Sequence, residues 1–374
     1  MSSVKSRFPE AETPVHEYFY SMVELAVMRV FVEHQIFDAI PDNGISIDEL
    51  ATKTGVEFNL LERLSNFLIA SKVLSSPKPG FISLTYDSKM FQETRAKLFY
   101  SHIFDAFMGS AAQWPQYFQT NGLAEPQQSN HSPFGLGAGY PDKSFYQVLE
   151  MMPERAQAFN STMAIGLGDM PITGMYDFSW VAMHAQKDPD RPLIVDVGGG
   201  KGQAIKAIIE ETPGIPASSC VLQDQINVIQ EASGEGVLRE VKKVGSSFFD
   251  KQPTKGLSHS LMTSPVSNID YYLGALVYYI RRVLNDWPDD ECVIILKNIR
   301  EVCTPDSRVL ISENLLPDQP SVSLAAADLW MMNFAGKRRN ERMFNDLASR
   351  AGFKVCSISK DKTSTSAVVE MVPV

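Results

Sequence analysis

The stretch of this 374-residue sequence best suited to chemistry is Ile194-Val-Asp-Val-Gly-Gly-Gly-Lys-Gly-Gln203, an apolar run followed by glycines at 198, 199, 200 and 202. Glycines at such spacing let a chain turn sharply and bring its backbone against a ligand. The spacing is G-x-G-x-G, not the G-x-G-x-x-G of dinucleotide sites, and Gly-Lys is followed by Gly, which excludes a P-loop. The pattern suits a ligand without a pyrophosphate. Asp224 closes the next apolar run, Val221-Leu-Gln-Asp, where a carboxylate can accept ribose hydroxyls or cap the helix that follows. His131, in Ser129-Asn-His-Ser-Pro, is either a surface histidine or an acid/base group. The cysteines, 220, 292, 303 and 356, form no CxxC pair and no metal-ligand spacing, which points to reduced thiols and no bound metal.

These residues need elements to hold them. From 176 to 374 the pattern alternates strands (Leu193–Val197, Cys220–Leu222, Ser246–Phe249, Ala275–Ile280, Val309–Ser312, Phe353–Ile358, Ala367–Met371) with helices such as Gly202–Glu211, Asp290–Val302 and Glu341–Ala351. This predicts an α/β domain, an open parallel sheet covered on both faces with its last strand antiparallel. Ligands on such sheets sit at the carboxyl ends of the strands. Residues 99–175 form a helical, aromatic-rich region that is either core or the lining of an apolar cavity. Residues 1–98 read as a helix from Tyr20 that is apolar on nearly every face and so buried on both sides, a helix capped at Ser46, a helix from Asn59, and strands at Val73-Leu74 and Phe81–Leu84. That winged-helix order serves DNA binding or dimerisation. Glu57, Glu62 and Arg63 give the second helix no basic stripe, which favours dimerisation.

A net charge of −10 disfavours nucleic acid, and the basic cluster Lys337-Arg338-Arg339 with Arg342 is too short to reverse that. No apolar run reaches membrane-spanning length, and the opening residues lack the apolar core of a signal peptide. A cytoplasmic protein is expected.

Val195-Asp-Val-Gly-Gly-Gly, Val221-Leu-Gln-Asp, Leu284-Asn-Asp-Trp-Pro-Asp and Glu313-Asn-Leu-Leu-Pro resemble the motif series of S-adenosylmethionine (SAM)-dependent O-methyltransferases, the plant caffeate type and its fungal relatives in secondary metabolism. The likeness runs from about residue 15 to the end. It implies a class I methyltransferase fold with a Rossmann-like sheet, an N-terminal winged-helix domain that makes a homodimer, and SAM as cofactor. By the same resemblance Asp196, Gly198, Gly200, Asp224, Phe248 and Arg281 surround SAM, with Ser247 where the family usually has an adenine-contacting Asp. Trp114, Phe118, Trp330, Met332, Asn333 and Phe334 then line the acceptor pocket.

The sequence departs from that family at the base. A family His in Leu-His-Asp-Trp is here Asn285, ahead of Asp286, and asparagine has no proton to exchange near neutral pH. Glu313 matches one of the two supporting acids, whereas Arg338 replaces the other. In this the chain resembles fungal methyltransferase-like pericyclases, which hold SAM as a charged cofactor. That resemblance implies a pericyclic or dehydration step on a polyketide-derived substrate, served by His131, Asn285, Asp286, Glu313 and Arg338. One alternative is an O-methyltransferase for an already acidic hydroxyl, with His131 or Glu313 assisting. Another is a non-catalytic SAM-binding partner protein. Leu257 to Gly274 is an insertion relative to the family: a functional loop, a partner contact or a translated intron.

Overall fold

The computed structural model describes residues 7–164, 170–188, 191–232, 234–251 and 274–374. All of the 257–274 insertion except Gly274 lies outside them. The chain divides into two compact units, one of residues 1–112 with 149–168 and one of residues 113–148 with 169–374.

The first unit is helical with a small antiparallel sheet of β1 (Ile45–Ser46), β2 (Leu74–Ser75) and β3 (Phe81–Leu84) in the order β1-β3-β2. The Ser46 hydroxyl accepts the Glu49 amide at 3.2 Å, and Gly55 ends that helix at φ +71°. Phe31, Phe37, Ile40, Leu50, Leu61, Leu68 and Ile82 form the core. The long helix Pro14–Glu33 buries Val27, Met28, Phe31 and Val32, but Val15, Tyr18, Phe19 and Met22 lie 54–71 % exposed. Within a single chain, then, only one of the two sides expected to be buried is covered, and only toward the helix's C-terminal half.

The second unit is built on seven strands: β4 (Ile194–Val197), β5 (Cys220–Asp224), β6 (Lys242–Gly245), β7 (Val277–Arg281), β8 (Arg308–Asn314), β9 (Phe353–Lys360) and β10 (Ser366–Pro373). Their order is β6-β5-β4-β7-β8-β10-β9, parallel from β6 to β8, with β10 antiparallel to both its neighbours. Because side chains alternate along a strand, Val195, Val197, Tyr278 and Ile280 enter one core with the helices Asp289–Arg300 and Glu341–Ala351. Ile194, Val277 and Tyr279 enter the other with the helix Gln203–Glu211. The class I α/β architecture is therefore as expected, with one strand displaced. The apolar pair Phe248-Phe249 drew the third strand to 246–249, but β6 is Lys242–Gly245, an edge strand whose lysines match the polar character of edges. Ser246 to Asp250 turn away after it. The order reverses between β4 and β7, so the carboxyl ends of β4, β5, β7 and β8 converge on one crevice.

Candidate functional site

At the end of β4 the chain turns through Gly198, Gly200 and Gly202 at φ +70°, +60° and +88°, a region that L side chains rarely adopt. The Gly198 and Gly199 amides donate to Gln223 O at 2.8 and 3.1 Å, pinning the loop to β5. A side chain at Gly198 would come within 2.7 Å of Val283, and one at Gly199 within 2.5 Å of the Asp196 carboxylate. Asp196 is fully buried, and desolvation pushes its carboxyl up to about 7 against the pull of the Ile205 amide. Asp224 has one oxygen on the Gly200 amide at 2.8 Å and the other on the Gln225 amide at 2.7 Å. Each oxygen keeps a lone pair for a ligand hydroxyl. Asp224 therefore holds the Gly200 turn and does not cap the helix that follows, whose N-cap is Gln225 with no side-chain cap bond. Arg281, at the end of β7, donates to Met170 O at 2.6 Å through Nη2, while its buried Nε has no acceptor. Ser247 accepts the Phe249 amide at 3.2 Å in a tight turn, and Phe248 lies edge-on to Trp287 at 5.9 Å.

The tips of β7 and β8 carry a different kind of site. Arg282, at φ +56°, turns the chain from β7 into Leu284–Trp287. Asn285 Nδ2 donates to Asp286 Oδ1 at 2.6 Å, and Tyr146 Oη donates to Asp286 Oδ2 at 2.8 Å. The Asn285 amide N–H points at Glu313 Oε1, 3.4 Å away. An ionised carboxylate can only accept, so the Asp286 contact fixes the Asn285 carboxamide with Nδ2 toward Asp286, and Oδ1 is what it can offer a ligand. Desolvation raises Asp286 to about 6, held back by the Tyr146 hydroxyl and Arg282. Glu313 is buried, and desolvation plus the Asp286 charge push it up to about 7 against Arg339 and the Asn285 amide.

The segment 336–339 packs on this turn. The Lys337 amide donates to Asn285 O at 3.0 Å, and any side chain at Gly336 would strike that carbonyl at 2.2 Å. Arg339, 2 % exposed, donates to Leu284 O at 2.6 Å, Trp287 O at 2.8 Å and Asp289 at 2.8–2.9 Å. Lys337 bridges Asp289 and Glu125 at 2.9 and 2.7 Å. These cations are a buried brace, not a surface patch. Arg338 donates its amide to Asp328 Oδ1 at 2.7 Å and leaves Nε buried without an acceptor.

Asn333 is fully buried, and its Oδ1 accepts the Trp114 indole N–H at 2.9 Å, which leaves Nδ2 as a donor with no partner. Phe334 meets Phe134, Phe145 and Trp330 at centroid distances of 4.3–6.0 Å. Phe118 packs edge-on against Tyr117, and Met332 is half-buried at the end of its helix. His131 is exposed, with Nδ1 3.8 Å from Asp142. Tyr146, Arg282, Asp328, Asp289 and Arg339 escaped the sequence reading, although Arg339 lies inside a basic run noted there. Among the described residues no cluster suits a metal, and no helix is long and apolar enough to cross a membrane.

Comparison with known proteins gives four findings. An O-methyltransferase domain family matches residues 271–354. The methyltransferase fsa4 of Fusarium sp. (strain FN080326) is 78% identical over 375 residues, covering 100% of this chain and 99% of the relative. Among solved structures, OxaC in complex with SAH and oxaline superposes with a TM-score of 0.82 at 21% identity, covering 98% and 89% of the two chains. A pericyclic reaction enzyme superposes at 0.76 and 19%, covering 98% and 91%.

Proposed function

Since the chain belongs to the SAM-dependent O-methyltransferase family, we propose that it methylates an acidic O–H or N–H group of a small molecule of fungal secondary metabolism, with Glu313 as the base. The crevice fits the cofactor. Gly198 has no room for a side chain, Asp224 keeps two lone pairs for ribose hydroxyls, and Arg281 Nε is a buried donor lacking an acceptor. Asp196, Gly198, Gly200, Asp224, Ser247, Phe248 and Arg281 would hold it. Bound there, SAM supplies an electrophilic methyl group.

The observation that carries the proposal is the pairing of Glu313 with a fixed Asn285. A carboxyl raised to about 7 has the proton affinity ordinarily found in histidine, so the base lost at 285 is recovered at 313. Asn285 Oδ1 accepts from a second N–H or O–H of the acceptor and so aligns the reacting X–H toward Glu313. Glu313 takes the proton, and the acceptor becomes an anion facing Arg338. Asn333 Nδ2, aimed by Trp114, donates to a carbonyl of the same molecule. Trp330, Phe334, Phe118 and Met332 supply an apolar wall.

A second reading is kept by one observation: Arg338 and Asn333 aim buried donors without any need for a base, as a pericyclic or dehydration step would use. Mass spectrometry of purified protein, SAM and polyketide extract separates the two. A product one methylene heavier, with S-adenosylhomocysteine (SAH) released in step, supports methyl transfer. A product of unchanged mass or minus water, formed only with SAM present and unconsumed, overturns it.

The exposed Val15, Tyr18, Phe19 and Met22 recur at helical spacing and support the expected homodimer through the first unit. Light scattering that finds a dimer for the protein and a monomer for Tyr18→Glu would bear this out; a monomeric parent protein would refute it.

A further inference from the structure

We infer that residues 122–132 form a strap that closes the acceptor end of the crevice and opens to admit the acceptor, latched by Glu125 on Lys337 and by the Ser129 amide on Glu291. This rests on the reading of the β7–β8 tips as the acceptor site.

Something at that end must move. Asn285 and Asp286 keep part of their surface free, yet desolvation raises the Asp286 carboxyl to about 6. Free surface beside a group that has lost its water faces an enclosed space, not bulk solvent. An acceptor enters such a space only where the wall yields.

The strap joins the helices Trp114–Asn121 and Pro133–Gly137, and both of its ends are fastened to one buried residue. The Trp114 indole donates to Asn333 Oδ1 at 2.9 Å, and the Phe134 amide donates to Asn333 O at 2.9 Å. Tyr117 Oη donates to His131 O at 2.7 Å, and the Ser132 hydroxyl accepts the Gly135 amide at 3.2 Å. The Phe134 ring packs against Phe145 and Phe334. Between these anchors the chain is held lightly. Leu123 is 95 % exposed, and from 121 to 131 Pro126 alone is buried. Such a stretch has little apolar burial to lose when it lifts. Gly122, at φ +86°, places a joint at its start.

Two bonds hold the middle down, and both land on the frame of the acceptor end. Glu125 reaches Lys337 Nζ at 2.7 Å, and Glu291 accepts the Ser129 amide at 2.9 Å. Lys337 in turn donates its backbone amide to Asn285 O, so the latch sits beside the residue that aligns the acceptor. Glu125 is half exposed and returns to water when released, while Lys337 keeps Asp289 at 2.9 Å. Release therefore strands no buried charge, the cost that makes most buried pairs hard to break.

The test reads access, which keeps it separate from turnover. Asn285→Cys places a thiol in the enclosed space. Full-length protein is labelled with iodoacetamide, and peptide mass spectrometry separates that thiol from the four native cysteines. With the latch intact, labelling at 285 should be at least about tenfold slower than in the urea-unfolded chain. Adding Glu125→Gln or Glu291→Ala should speed it about fivefold each. Hydrogen exchange should rise over residues 122–132 in both variants and stay unchanged in β4 and β5. Labelling as fast as in the unfolded chain, or no faster with the latch cut, overturns the proposal. So does faster exchange of the strap with no gain in labelling. SAH affinity unchanged in a variant shows that it has folded. Latch-controlled access without methyl transfer would leave the strap standing and remove only the reading of the reaction.

Discussion

The two ends of the crevice are built by different means. The tips of β4 and β5 form from a short stretch of chain in which glycine conformations and backbone bonds do the positioning, with Gly200 reaching Asp224 across 24 residues. At the tips of β7 and β8, Tyr146, Asn285, Glu313, Asp328 and Arg338 come from separate segments up to 192 residues apart in the chain (338 − 146). There charged side chains in low dielectric set the geometry. By the resemblance drawn from the sequence, the first end matches the family's residues almost throughout, whereas the second has Asn285 in place of the histidine and Arg338 in place of an acid. A site made of backbone turns tolerates little change, because most side chains will not fit. A site made of side chains can be rewired one residue at a time, provided each buried charge keeps a partner.

Breaking the comparison begins with Glu313→Gln. It should lower turnover by about 10³-fold while SAH binding by calorimetry is unchanged. Wild-type activity should rise with pH through about 7, where Glu313 ionises, and the variant should lack that limb. The stability consequence has the opposite sense. Glu313 titrates higher in the folded protein than its ordinary 4.5, so its favourable contribution is complete below 4.5 and disappears as pH rises through about 7. Thermal melts at pH 5 and 8 should show a wild-type decline that is smaller in Glu313→Gln. An equal decline would mean that the carboxyl is not desolvated.

Arg339→Met comes next. It leaves Asp289 with Lys337 as its partner cation and frees the Leu284 and Trp287 carbonyls, and should cost about 3 kcal/mol in denaturant unfolding. A loss below about 1 kcal/mol, the range of a surface pair, would mean that the acceptor end does not depend on its buried charges. Gly198→Val tests the other end: the positive φ and the 2.7 Å contact with Val283 predict about 100-fold weaker SAH binding. Unimpaired SAH binding would show that the loop is not a cofactor seat. Smallest is Tyr146→Phe, which removes one donor from Asp286 and should cost about 1 kcal/mol. In that variant the Asp286 carboxyl should titrate higher by NMR; no movement would rule out the Tyr146 hydroxyl as a group that holds Asp286 ionised.

Much of this was legible in the sequence because it is local. The glycine loop, the Ser46 cap and the alternation of β4 and β7 follow from neighbouring residues, and all appear in the fold. The third strand was misread because its lysines lie at a sheet edge, where hydrophobic pattern carries no signal. The Lys337–Arg339 run was read by its charge alone, as a basic cluster too short to reverse the net charge, and Lys337 and Arg339 are buried. Their partners, Glu125 and Asp289, are distant in the chain.

By itself the sequence determined the α/β fold and the glycine loop, and by resemblance it set Asn285 where the family has a histidine. Each depends on residue type or on spacing within a few residues. Glu313, which the sequence offered beside His131, takes the base's place in the proposed reading, and the tertiary structure sets its proton affinity. A proton affinity near neutrality is not a property of glutamate. It arises because folding strips water from Glu313 and sets Asp286 near it, with Arg282 and Arg339 close enough to limit the shift.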